Sequence, residues 1–129
     1  MNKKFFVPYQ TARQLKEKGY PNNTEMLYDN ETGELISSAA YANPKYWIGD
    51  KYMYLIAAPT YHEVVDWLEG KGIRIEVRVA YHFREKKWSW CGYVYVVEDE
   101  DYETSQLADW SSTREDALNA AILKALEML

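Results

Sequence analysis

The stretch of sequence that decides the fold runs from Ile73 to Val97. Residues 73 to 84 read IRIEVRVAYHFR, and residues 88 to 97 read WSWCGYVYVV, with a charged segment between them. In the first stretch apolar residues alternate with mostly charged ones, which is typical of a strand with one apolar face and one polar face. Two such stretches around a short charged turn predict a long antiparallel hairpin, with strands at about 73–84 and 88–97.

Matching the apolar faces of the two strands predicts the register of this hairpin. Apolar residues then pair throughout: Phe83 with Trp88, Tyr81 with Trp90, Val79 with Gly92, and Val77 with Val94. On the polar face the same register sets Arg78 against Tyr93, Glu76 against Tyr95, and Ala80 against Cys91. A slip by one residue would bring the tryptophans opposite charged residues, so the hydrophobic pattern specifies this pairing strongly.

Helices are predicted before and after the hairpin. Apolar residues at helical spacing between Tyr61 and Leu68 predict a helix at about 60–70, which two nearby glycines end. A second apolar stripe predicts a helix at about 113–128, where Ser112 and Glu115 form a candidate capping box. The predicted fold class is therefore α+β: an antiparallel sheet centred on the long hairpin, with both helices packed on one face. Residues 104–110 are a candidate third strand.

Weaker signals organise the first half of the chain. Residues 5–7 are predicted to form a short strand, and Tyr9 to Lys18 a short N-terminal helix that Gly19 ends. Two apolar runs at 26–28 and 34–36 flank a cluster of turn-forming residues and predict a small hairpin. The region 37–51 is expected to be mostly loop, and 52–57 another strand.

Length and composition set the class of protein. The chain has 129 residues, a length typical of one domain, and we expect residues 1–129 to form a single domain. Its net charge of −5 argues against a nucleic acid as the partner. The single cysteine, Cys91, excludes an intrachain disulfide and a thiolate-rich zinc site. No secretory leader or membrane span is evident, which predicts a cytoplasmic protein without a membrane partner.

Candidate catalytic and metal-binding residues are few. His62 and Asp66 lie one helical turn apart, and His82 on the polar strand face would complete a metal-binding trio, but His82 should point away from that helix. Cys91 would need a base, and His82 is its diagonal neighbour at best. These residues are explained equally well as surface polar side chains and an unactivated thiol. We therefore expect no catalytic site, no metal and no cofactor, and rank an enzyme last.

Aromatic residues provide the strongest candidate binding surface. They make up 16% of the chain. The polar face of the hairpin combines aromatic, histidine and arginine side chains, which can bind a protein partner or stack on bases. The region 41–54 is a second aromatic cluster. The candidate surface residues are Arg78, His82, Tyr93, Tyr95, Tyr46 and Trp47. The alternative is that the aromatic side chains are covered by the sheet or by the first half of the chain.

Two resemblances carry further expectations. The αββ(β)α order with the alanine-rich segment at 116–122 resembles a double-stranded-RNA-binding domain. That family has a lysine cluster at the start of its last helix, where this chain has residues 112–116, STRED, so RNA binding is not carried over. The segments FVPY at 6–9, LKEKGY at 15–20, APTY at 58–61, VDWL at 65–68 and EDAL at 115–118 resemble small uncharacterised proteins of Bacteroides-type gut bacteria and their phages. This resemblance implies a source and a fold, and no activity.

The functional expectation follows from aromatic excess without catalytic chemistry. We expect a protein-binding or adaptor module that uses an aromatic-rich surface, with a protein as partner and self-association as one form of it. The alternative is a nucleic-acid-binding or phage-related regulatory module, in which Arg74, Arg78 and Arg84 would track phosphates along the hairpin.

Overall fold

The structure is a computed structural model of the chain. It describes residues 3–22, 24–37, 39, 47–48, 51–52, 55–99, 102–108 and 110–129, of which 47–48, 51–52, 97–99 and 102–106 are described by their backbone alone. The chain divides into two compact units, Phe6–Thr60 and Met1–Phe5 with Tyr61–Leu129. The expectation of one domain over residues 1–129 stays a prediction.

In its described residues, the unit formed by residues 6–60 has one helix and two small antiparallel sheets. Helix α1 is followed by strands β1 to β5, and β1 is the central strand of the order β2-β1-β5, while β3 pairs with β4. The bounds are α1 Tyr9–Glu17, β1 Met26–Asp29, β2 Leu35–Ser37, β3 Trp47–Ile48, β4 Lys51–Tyr52 and β5 Leu55–Ala57. The short N-terminal helix and the small hairpin are confirmed. Gly19, at φ +90°, ends α1 in a conformation that favours glycine.

One local prediction in this half is wrong, and two others are met in part. Residues 5–7 form no strand: Lys3–Phe5 make a 3₁₀ turn, and Phe6 makes an isolated bridge with Thr60. Of the predicted strand at 52–57, Tyr52 belongs to β4 and Leu55–Ala57 form β5. The region 37–51, expected to be mostly loop, contains β3, and most of its other residues lie outside the described part of the chain. These segments are short, so pairing with distant strands decides their structure more than local propensity does.

The unit containing the long hairpin has the predicted α+β architecture. Three antiparallel strands lie in the order β6-β7-β8, and two helices pack on one face of this sheet. The bounds are α2 Tyr61–Glu69, β6 Ile73–His82, β7 Lys87–Asp99, β8 Tyr102–Leu107 and α3 Arg114–Leu126. In the described part of the chain, no helix is long and apolar enough to cross a membrane.

Close packing between α3 and the sheet explains why residue 92 is a glycine. A Cβ atom on Gly92 in β7 would lie 2.9 Å from the Cβ of Ala121 and 3.0 Å from the carbonyl oxygen of Ala117. Real Cβ atoms do not approach this closely, so the helix reaches the sheet only because residue 92 lacks a side chain. Gly92 and the buried alanine stripe of α3 therefore set the distance between helix and sheet.

The register of the long hairpin differs from the predicted one by two residues. Tyr81 lies opposite Trp88, Val79 opposite Trp90, and Arg78 opposite Cys91. Strand β6 ends two residues earlier than predicted and β7 begins one residue earlier, so the turn comprises residues 83–86, within which Lys86 adopts φ +54°. A shift by two keeps each side chain on its predicted face, because the period of a strand is two. The pattern could therefore identify the faces without fixing the register.

The N-cap of α3 also lies one residue later than predicted. The side-chain oxygen of Thr113, rather than that of Ser112, accepts a hydrogen bond from the backbone N–H of Asp116 at 3.1 Å. Both pairs have the same three-residue spacing, so the sequence pattern could not choose between them.

Candidate binding surfaces

The predicted polar-face residues Arg78, Tyr93 and Tyr95 are brought together. The guanidinium carbon of Arg78 lies 4.4 Å from the centre of the Tyr93 ring, and its Nη2 donates a hydrogen bond to the Tyr95 hydroxyl at 3.0 Å. The Glu76 carboxylate lies 2.9 Å from the same guanidinium group. We call these four residues the polar-face cluster. Arg78 reaches Tyr93 across a diagonal, because the residue directly opposite it is Cys91.

The electrostatics of this cluster keep the Arg78 side chain charged and the Tyr93 side chain neutral. Burial lowers the pKa of Arg78, but the Glu76 carboxylate and the hydroxyl groups of Tyr95 and Tyr93 outweigh it, so the pKa lies above its usual value. The two largest effects on the pKa of Tyr93 both raise it above its ordinary value. The larger is a hydrogen bond with the Cys91 thiol, and the next is burial of the side chain. The cluster is thus a cation stacked on a neutral ring and already paired with an anion, an arrangement that holds its own side chains in place.

His82 does not join the polar-face cluster. Its ring lies 4.6 Å from that of Trp110, centre to centre, and its Nδ1 accepts a hydrogen bond from the backbone N–H of Glu85 at 3.2 Å. A cleft of about 240 Å³ lies beside this pair, and Ser89 and Ser111 contribute to its lining. The sequence analysis placed Trp110 at the end of the candidate third strand 104–110, but β8 ends at Leu107, and Ser111, next to Trp110, forms a bridge with Trp90 of β7.

The other candidate residues fall into three places. Tyr46 lies outside the described residues, and Trp47 is described only by its backbone, paired with Tyr52. The exposed pair His62 and Asp66 lies 3.4 Å apart in α2, a helix on the apolar side of the sheet, whereas His82 lies on the polar side. Among the described residues, no three histidine, cysteine or acidic side chains could together hold a metal ion.

Cys91 is enclosed and distant from His82. Its side chain is fully buried, and its Sγ lies 3.7 Å from the carbonyl oxygen of Arg78. His82 is opposite Lys87, four residues from Cys91 along β7, which is about 13 Å at the rise of a strand. The diagonal neighbour suggested by the predicted register is therefore wrong, since the two-residue shift separates the thiol from the imidazole.

An exposed aromatic surface that the sequence analysis placed in the core lies at the end of the hairpin. Phe83 is 82% exposed and Trp88 is 69% exposed. The ring of Tyr81 meets both edge to face, with centres 5.1 Å from Phe83 and 5.7 Å from Trp88. We call Tyr81, Phe83 and Trp88 the apolar tip. These residues belong to the apolar face, but that face extends beyond the region that the helices cover.

The turn beside the apolar tip is basic. Arg84, Lys86 and Lys87 are exposed and lie between the two exposed rings in the chain, and Glu85 supplies the one acidic group of the turn, 3.4 Å from the Lys87 ammonium. A local excess of positive charge on a chain with net charge −5 distinguishes this end of the molecule.

No protein-family model, curated protein or solved structure matches this chain.

Proposed function

We propose that this protein is a protein-binding module whose contact surface is the apolar tip of the β6–β7 hairpin. The observation that carries the proposal is the joint exposure of Phe83 and Trp88 on one face of the sheet. Large aromatic side chains exposed together on a folded domain are typical of interaction sites, because water contact with them is unfavourable.

Burial of these two rings would supply part of the free energy that specific binding needs. Phe and Trp side chains each bury roughly 150–250 Å² when enclosed, and apolar burial stabilises by about 25 cal/mol per Å², so the two rings together offer several kcal/mol. Contacts with Tyr81 hold both rings from the side, which reduces the side-chain entropy lost on binding.

Charge and ring geometry favour an acidic protein partner. The basic turn at 84–87 would attract carboxylates around an apolar contact, which is the usual arrangement of a polar rim. A nucleic acid needs flat ring faces on which bases can stack, whereas the rings of the tip meet at 86° and 67° and present edges to each other. The net charge of −5 opposes a phosphate backbone more strongly than an acidic protein, because double-stranded DNA carries about one negative charge per 1.7 Å of helix axis.

Two further expectations accompany this proposal. We propose that the module acts in the cytoplasm. Following the resemblance carried by the segments at 6–9, 15–20, 58–61, 65–68 and 115–118, we propose a bacterial or phage source in which it works as an adaptor.

Selection of peptides from a random display library on the full-length protein tests the proposed function. We expect the selected peptides to combine apolar and acidic residues, and to bind the double variant Phe83→Ala, Trp88→Ala at least tenfold more weakly. The double variant Tyr93→Ala, Tyr95→Ala is the matched control, because it removes two rings from the same hairpin on its other face. Equal binding to the tip variant, or loss with the control instead, would overturn the assignment to the tip.

A second experiment distinguishes the protein-binding proposal from the nucleic-acid-binding alternative. Fluorescence anisotropy with a labelled single-stranded oligonucleotide, at about 50 and 200 mM salt, should show no binding by the wild type. Salt-sensitive binding that the variants Arg74→Ala and Arg78→Ala weaken would replace the protein-binding proposal with the nucleic-acid one.

A further inference from the structure

Strand β6 is an edge of the three-stranded sheet. In the described residues it pairs with β7 on one side only, over all ten residues from Ile73 to His82. A long edge strand presents backbone N–H and C=O groups that can pair with another strand.

The pairing pattern shows which backbone groups of β6 point outward. Trp90, opposite Val79, exchanges two backbone hydrogen bonds with Ser111, each 2.9 Å long, so its N–H and C=O point away from β6. Val79 and Trp90 are therefore a non-hydrogen-bonded pair, and the N–H and C=O of Val79 point to the free edge. Because direction alternates along a strand, Val77 and the other odd-numbered residues of β6 also point their backbone groups outward.

A crevice opens at the same edge. It has a volume of about 470 Å³, and its lining includes Val65 of α2, Leu118 of α3, and Ile75 and Val77 of β6. Glu76, which lies between Ile75 and Val77 on β6, also lines it. Near it, Val79 on the same strand is 46% exposed although it belongs to the apolar face.

We propose that β6 pairs antiparallel with β6 of a second copy of this chain, with Val77 opposite Val77 of that copy. This register satisfies the outward backbone groups, because it pairs odd-numbered residues with odd-numbered residues along nearly the whole strand. It also places Val79 of each copy opposite Ile75 of the other, at the crevice, where its exposed side chain is buried.

Charge complementarity selects this register among those of similar length. With Val77 at the two-fold axis, Glu76 lies opposite Arg78 of the second copy, and Arg78 opposite its Glu76. Shifting the axis by one residue brings Glu76 opposite Glu76, or Arg78 opposite Arg78, and like charges directly opposite each other are destabilising. Both side chains are about half exposed, at 48% for Glu76 and 47% for Arg78, and dimerisation exchanges the ion pair between them within each chain for the two pairs between copies.

Charge-reversal variants test the register directly. Glu76→Arg places an arginine opposite Arg78 of the other copy in both symmetry-related pairs, and Arg78→Glu places two acidic groups opposite each other in the same pairs, so each variant should raise the dimer dissociation constant at least tenfold. An equimolar mixture of the two should form a heterodimer as tight as the wild-type dimer, because all its cross-strand pairs are again opposite in charge. Sedimentation velocity over a concentration series measures each constant.

Controls with the same charge change lie beside β8, at the other edge of the same sheet, where Glu127 and Lys124 line a cleft together with Leu107 and Ala108. Glu127→Arg matches Glu76→Arg, and Lys124→Glu matches Arg78→Glu. Both should dimerise like the wild type. Far-ultraviolet circular dichroism of each variant checks that the chain is folded.

A measurement on the wild type keeps the proposal testable if a variant fails to fold. Exchange of the backbone amides of Val77 and Val79 should slow as protein concentration rises, because these N–H groups point to the free edge in the monomer. The amides of Glu76 and Arg78, already bonded to β7, provide the internal control. A wild type that is monomeric up to about 1 mM, or a mixture of the two variants that stays monomeric, would overturn the proposal.

Discussion

The two ends of the β6–β7 hairpin share one alternation of apolar and polar residues, but the apolar face is covered at the base, near Ile73 and Val94, and exposed at the tip, near Phe83 and Trp88. At the base, the apolar face lies under α2 and α3, where Ile73 is 4% exposed and Val94 is fully buried. At the tip, residues of the same face are open, with Phe83 82% and Trp88 69% exposed. Alternation in sequence therefore marks which face is apolar, whereas the length of the covering helices decides how much of that face becomes core.

The largest effect is expected at the covered base. Ile122→Ala in α3 removes a fully buried side chain from the helix that packs on the sheet. We expect it to lower the free energy of unfolding by about 2–5 kcal/mol, through lost burial and the cavity left behind. Urea denaturation followed by circular dichroism measures this. A loss below about 1 kcal/mol would mean that the base is not tightly packed.

A smaller loss is expected from added volume at the contact between α3 and β7. Gly92→Ala introduces a Cβ 2.9 Å from the Cβ of Ala121, and we expect it to cost about 1–3 kcal/mol of stability. The double variant Gly92→Ala, Ala121→Gly is the informative comparison in the same urea experiment. It should recover part of the loss, since one of the two clashing atoms is gone; no recovery would place the strain at the Ala117 carbonyl instead.

The start of α3 should show a loss of about 1 kcal/mol. Thr113→Ala removes the oxygen that accepts the Asp116 N–H, whereas Ser112→Ala leaves that bond intact. Thermal unfolding of both variants distinguishes the observed cap from the one predicted by sequence. An effect of Ser112→Ala larger than that of Thr113→Ala would contradict the capping geometry.

The smallest effect on stability is expected at the tip. Trp88→Ala truncates a side chain that is 69% exposed, so unfolding free energy should change by less than about 0.5 kcal/mol. Binding of the selected peptides should fall at least tenfold in the same variant. A loss of stability comparable to that at the base would show that the tip is covered in solution, as contact with a partner copy would produce.

Part of the candidate site could be predicted from sequence. The contact of Arg78 with Tyr93 is observed, but it crosses a diagonal and was inferred from a register that is wrong by two residues. His82 instead meets Trp110, because the segment after β8 returns beside β7, which no periodic pattern indicates. Exposure of Phe83 was missed, since nothing in an alternating strand shows where the turn begins.

The sequence by itself determined the α+β class, the two faces of the hairpin and the helices that flank it, because hydrophobic periodicity is a local property that each element carries. Only the tertiary structure decided the register, the cap of α3 and the exposure of the tip. Those depend on how far α3 extends along the sheet and on its close approach to Gly92, which involve residues distant in the chain. The free edge of β6 is a tertiary result as well, since edge position follows from the strand order β6-β7-β8 and not from any property of residues 73–82.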